Sequence, residues 1–235
     1  AKPQVMDRPT KSVQHAATQE KGVAFVEALD RIMGSSRSAY DEVLSSLPVP
    51  HRRVERWKYT PVAAWWSEVK AAETATVAAA GCEPNPIPGL DAYRMVFVNG
   101  HFDAAASDLP VHPGVVCMPL SQAPPETLQA MDAQQPEHAE WFAALNGKFA
   151  SEGMYLRVEK NTVLDRPILV HHRCTGEGSV SFLRHDMVIG AHAQVKCVQW
   201  SSASEDAMGA VNILTRASIG ENTRLSLDKV QDEGG

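Results

Sequence analysis

The sequence predicts a mainly β fold in which an α+β N-terminal region leads into a β-solenoid core, incomplete at the C-terminus. Three observations carry that prediction. The first is a repeat: Ile189-Gly190-Ala191-His192-Ala193-Gln194-Val195-Lys196-Cys197-Val198 lines up with Ile219-Gly220-Glu221-Asn222-Thr223-Arg224-Leu225-Ser226-Leu227-Asp228 at a constant offset of 30 residues. The second is the shape of each copy. An extended run ends in Ile, a Gly permits a sharp bend, and a small polar turn leads into an alternating strand, with Val195 and Cys197 in one copy and Leu225 and Leu227 in the other. The third is a weaker copy upstream, where Tyr155 to Val158 and Ile168 to Val170 flank a turn through Asn161 to Pro167. Two strands and a bend make one coil, which cannot bury its apolar face alone, so coils must stack. On this reading Ile189 lies directly under or over Ile219 in one apolar stack, where an aspartate at 219 has no partner and costs several kcal/mol. The last clear copy ends just short of Gly234-Gly235. That leaves a bare sheet edge, and with it the expectation that these residues are the front part of a longer protein.

Taken in order, a polar lead of about a dozen residues precedes an amphipathic helix with Phe25, Val26, Leu29, Ile32 and Met33 on one face, ended by Gly34. A shorter helix from Ser38 to Leu47 points Tyr40, Val43, Leu44 and Leu47 inward, and Pro48 and Pro50 then force extended backbone. Thr60-Pro61 is an N-cap and first helical residue for Val62 to Trp66. The stretch from Ala71 to Gly89 thins to Ala, Thr, Pro and Gly, the composition of a linker. Tyr93 to Val98, the turn Asn99-Gly100, and His101-Phe102 form a hairpin, and Gly114 to Leu120 is one more strand. Two helices follow, Pro124 to Met131 and Glu137 to Leu145, the second closed by Asn146-Gly147. The implied division is a helical region over 1–70, a linker over 71–89, a mixed α/β segment with the hairpin over 90–154, and the solenoid core over 155–235.

Composition narrows the function classes. With 44% hydrophobic and 21% charged residues the chain can bury a sizeable core, and no apolar run approaches the ~18 residues of a membrane span. The start, Ala1-Lys2-Pro3-Gln4, has no apolar segment behind its lysine, so a cytoplasmic protein is expected, with no membrane partner. The net charge of −6, with basic residues scattered except at Arg52-Arg53, Arg56 and Lys58, gives no nucleic-acid footprint. Cys82, Cys117, Cys174 and Cys197 show neither CxxC nor zinc spacing and read as reduced, mostly buried thiols.

Two groups of residues invite a functional reading. Arg56, Trp57, Lys58 and Tyr59 interleave aromatics with basic residues and form a candidate partner-contact motif; the favoured plain reading is a loop anchored by the two rings with solvated charges between them. His171, His172, Cys174, His185, His192 and Cys197 crowd soft and borderline ligands into one stretch. Strand alternation puts His172 and Cys174 on the face of Ile168 and Val170 and turns His171 away with Leu169 and Arg173. Cys197 sits where Leu227 sits in the next copy, a core position, and His192 holds the bend position of Asn222. The metal assignment is therefore none. Two enzymatic alternatives remain weaker. A hexapeptide-type acyltransferase with His192 as general base needs consecutive hexads, and Lys196 and Gln199 break the second. A polysaccharide lyase needs carboxylates clustered on one outer face, and no pair of acids between Met154 and Val230 recurs at coil spacing.

Arg56-Trp57-Lys58-Tyr59-Thr60-Pro61 after a Leu-Pro segment, Phe97-Val98-Asn99-Gly100-His101-Phe102, Arg166-Pro167-Ile168 leading into the repeat, and Lys229-Val230-Gln231-Asp232-Glu233-Gly234 occur in that order. Together they resemble the SufD proteins of the SufBD family, iron-sulfur cluster assembly subunits of the SufBCD complex. The resemblance covers nearly the whole chain and about the first half to two thirds of the family's length. It implies an N-terminal helical region, a right-handed parallel β-helix core and a C-terminal helical domain. It also implies partnership with SufB, a related β-helix protein, and with SufC, an ABC-type ATPase that docks on the C-terminal domain. That domain and the family's late-chain histidine at the SufB interface have no counterpart among these residues, so no residue here inherits their roles. The function expected is a non-catalytic scaffold acting through protein contacts, with no catalytic residue and no cofactor of its own. The iron-sulfur cluster is assembled by the complex, and ATP hydrolysis falls to the partner because no GxxxxGK[ST] loop is present.

Overall fold

Among the described residues nine strands lie in two sheets, and from the fourth onward the chain crosses between them at every turn. The structure, a computed structural model, describes residues 11–34, 37–60, 62, 87–133, 140–205 and 207–232. The strands are β1 (Tyr93–Val98), β2 (His101–Phe102), β3 (Val115–Pro119), β4 (Met154–Val158), β5 (Ile168–Cys174), β6 (Glu177–Ile189), β7 (Gln194–Ala203), β8 (Met208–Ile219) and β9 (Arg224–Asp232). The first sheet runs β2-β1-β5-β7-β9 and the second β3-β4-β6-β8, parallel throughout except where β2 meets β1 and β3 meets β4. Helices α1 (Lys11–Met33), α2 (Asp41–Ser46), α3 (Pro125–Ala133) and α4 (Trp141–Phe149) complete the described elements. The architecture is thus mixed α/β with two mostly parallel sheets, and the mainly β expectation is met only loosely.

The repeat is the register. Ile189 pairs with Ile219 across β6 and β8, and Cys197 pairs with Leu227 across β7 and β9, so a 30-residue step returns the chain to the same place one strand over. The weaker upstream copy falls in line, with Val158 beside Ile189 and Ile168 beside Cys197. Met95, Leu156, Ile168, Leu183, Met187 and Ile189 fill the space between the sheets with almost no exposure. Each such burial stabilises by roughly 1.5–3 kcal/mol. Ile219, however, is 53% exposed. It has its predicted neighbour but lies on β8, the edge strand of its sheet, so it is not enclosed.

The tight turns correct one further expectation. The sharp bend belongs to Asn161, His192 and Asn222, whose φ values of +63°, +60° and +53° repeat from turn to turn. The glycines beside them serve close approach instead. A Cβ on Gly190 would lie 2.5 Å from the Lys160 nitrogen, and one on Gly220 would lie 2.6 Å from that of Ala191. Asn99 and Gly100, at φ +49° and +82°, make the predicted hairpin turn.

Helices α1, α2 and α4 share a second core with Phe182 and Ala210, which extends from the helices to strands β6 and β8. Phe25 and Leu29 of α1 are buried there as the helical spacing requires, and Gly34 follows the helix at φ +66°. Helix α4 does not stop at Asn146-Gly147; it runs on to Phe149. The reason is packing. Asn146, with no exposure, donates from Nδ2 to the backbone oxygens of Leu183 and Asn212, and Gly147 leaves room for the Tyr40 ring, 2.1 Å from where a Cβ would stand. The next residue, the buried Lys148, reaches Asp30 of α1 at 3.2 Å and Asp41 of α2 at 2.5 Å. Residues 71–86 of the expected linker, and the expected helix after Thr60 apart from Val62, lie outside the described residues.

Candidate functional site

Strand alternation and the fixed register turn the space between the sheets into a ladder of rungs. One rung of the first sheet is Tyr93, Ile168, Cys197 and Leu227; the next inward rung is Met95, Val170, Gln199 and Lys229; the one after is Phe97, His172, Ser201 and Gln231. Toward the tight turns the rungs are apolar. Away from them, and toward β9, they become polar and open into a cavity of about 650 Å³ whose walls include His172, Gln199, Ser201, Lys229 and Gln231.

At the inner wall stand two buried histidines. His185 is fully buried and His172 is 4% exposed, with their Nε2 atoms 2.8 Å apart. Nδ1 of His185 accepts the Met154 backbone N–H at 3.0 Å. That fixes the tautomers: the His185 proton sits on Nε2 and is donated to His172 Nε2, which places the His172 proton on Nδ1. That nitrogen is enclosed, and no hydrogen bond of normal geometry to it is found among the described residues. Burial, and after it the charge of Lys229, pushes His185 down to about 3. Burial first and His185 second hold His172 well below the ordinary histidine value. Both rings are therefore neutral donor–acceptor links, and the chain Met154 N–H to His185 to His172 ends in a polarised donor.

The other candidate residues are dispersed. His171 faces away from the pair, stacked on Trp200 at 4.0 Å and bonded to Ser202 at 2.8 Å. Cys197 lies in the apolar core with no exposure, and burial pushes its thiol up to about 12. Cys174 lines the cavity with its sulfur 3.0 Å from the Ser179 hydroxyl. His192 is an exposed turn residue whose backbone N–H donates to Glu221. Among the described residues no three His, Cys, Asp or Glu side chains converge as a metal site. Cys82 lies outside the described residues.

Arg56, Trp57, Lys58 and Tyr59 lie on the surface around a short 3₁₀ turn. Arg56 pairs with Glu140, and Trp57 packs on Phe142 with ring centroids 5.0 Å apart. Lys58 lies over the Tyr59 ring at 5.2 Å, yet Tyr59 is 87% exposed. Trp57 anchors the loop and Tyr59 does not. Sequence reasoning placed His172 on the inward face but missed its bond to His185, which comes from the opposite sheet. The signal available was polarity at inward positions of successive copies: Gln199, Ser201, Lys229 and Gln231 all fall there.

With this geometry in view, comparison with known proteins places the chain. A profile of the family described as SufBD protein, N-terminal region, matches residues 17–170. An iron-sulfur cluster assembly SufBD family protein of Synechocystis sp. strain PCC 6803 is 29% identical over 150 residues, which is 59% of this chain and 32% of that protein. The chain thus spans about a third of the length of the curated relative it matches. It belongs to the SufBD family.

Proposed function

We propose that the chain acts as a SufD-type scaffold in iron-sulfur cluster assembly, working through protein contacts in the cytoplasm rather than as a catalyst. The observation that carries this reading is the family match over residues 17–170, to which the downstream strands add a regular 30-residue register. In this reading the two sheets are the walls of a right-handed parallel β-helix. The partners are a SufB-like β-helix subunit and, through the family's C-terminal helical region, a SufC-like ABC ATPase. The nascent cluster is cargo of the complex. Among the described helices none is long and apolar enough to cross a membrane.

Arg56, Trp57, Lys58 and Tyr59 serve here as a contact surface, because Tyr59 presents an uncovered ring beside two cations on a loop that Trp57 holds in place. The test is deletion of the gene followed by assay of iron-sulfur enzymes, then complementation. Loss of their activity with unchanged polypeptide levels, restored by the wild type and only weakly by a Tyr59→Ala, Lys58→Glu double variant, supports the reading. Unaffected iron-sulfur enzymes overturn it.

A further inference from the structure

The polar end of the space between the sheets has a lining that selects for charge. Lys229 and Arg173 border the cavity, and none of its described lining residues is Asp or Glu. Lys229 makes no ion pair among the described residues, and Ser181, Ser201 and Gln231 carry no side-chain hydrogen bond there. His172 belongs to the same wall, its ring held in place by the bond to His185. His172, Ser201 and Gln231 occupy one rung and so stand at successive strand spacings of about 4.8 Å, with Lys229 one inward step away. A neutral apolar occupant would leave these donors unsatisfied, and a cation would meet Lys229 and Arg173. An anion meets a fixed charge and several hydrogen-bond donors at once.

We propose that this cavity is a binding site for a small oxyanion, free or as the phosphate of a larger molecule, with Lys229 supplying the charge, Ser201 and Gln231 the hydrogen bonds, and the ring of His172 forming the wall beside them. The two neutral histidines add no charge of their own, and the ring of His172, as part of the wall, senses what occupies the cavity.

The inference goes beyond the scaffold reading and is tested apart from it, on the isolated 235-residue chain with no partner protein present. Inorganic phosphate, sulfate and glycerol phosphate are titrated at constant ionic strength while the imidazole resonances of His172 and His185 are followed by NMR. A saturable shift of both rings is expected, weakened about tenfold or more by Lys229→Gln, retained by Lys229→Arg, and unchanged by Lys160→Gln at the opposite end of the sheets. Tighter binding of glycerol phosphate assigns the site to a phosphorylated molecule, and equal binding assigns it to the free ion. No saturable shift with any of the three, or equal weakening by Lys229→Gln and Lys160→Gln, overturns the proposal.

Discussion

The two ends of the layer between the sheets are built from the same strands to opposite purposes. At the tight-turn end Val158, Ile189 and Val195 are almost fully buried, and the backbones pass so close that Gly190 and Gly220 have no room for a side chain. At the other end the same strands carry His172, Gln199, Ser201 and Lys229 into a cavity. Regularity marks the packed end, because a stack of like coils needs like residues at each step. The working end departs from the repeat: Val170 gives way to Gln199 and then Lys229, and Phe97 to His172, Ser201 and Gln231.

The contrast is broken most severely at its dry end. Ile189→Asp buries a carboxylate with no partner and is expected to cost about 4 kcal/mol or more, enough to abolish folding, whereas Ile219→Asp on the exposed edge should cost about 1 kcal/mol or less. Urea unfolding of the two variants measures the difference; equal costs would mean that β8 is covered as fully as β6.

Acid separates the ends next. Burial holds His171 at about 4 and His185 at about 3, and holds His172 well below its ordinary value. Each ring binds a proton more weakly in the folded chain than in the unfolded one. The stability they contribute is therefore complete above about pH 6.5 and is lost as pH falls toward the folded values. Between about pH 6.5 and pH 5 the loss should reach about 1.5 kcal/mol for His185, with His172 adding in the same direction. Unfolding free energies across that range check it, and a flat profile would contradict the buried, neutral assignment.

The smallest effect sharpens the regular end. His192 takes the left-handed conformation that Asn161 and Asn222 take in the neighbouring turns. His192→Asn should raise stability by about 0.5 kcal/mol without altering the NMR signals of His172 and His185.

What the sequence made legible follows the same division. The offset of 30 residues and the core place of Cys197 were readable because steric demands repeat from one pair of strands to the next, whereas the left-handed positions were not, since glycine beside the turns at His192 and Asn222 drew the bend to itself. The His172–His185 contact was not, since it joins side chains of opposite sheets through no local pattern. Asn146-Gly147 read as a helix stop because the residues that make them interior, Tyr40 and Asn212, are far away in sequence. Ile219 read as enclosed because periodicity gives a neighbour but not an edge.

The reach of Asn146 also sets an order of events during synthesis. Its amide bonds carbonyls of β6 and β8, the second of them 66 residues further along, and the apolar face of α1 packs in the same cluster as Phe182 and Ala210. The helices leave the ribosome well before the strands that share their core. Until β8 is made the cluster around Phe25 and Leu29 lacks Ala210, so this core is completed only late in synthesis. Helices α1 and α2 precede every described strand, yet the core they enter is finished by one of the last.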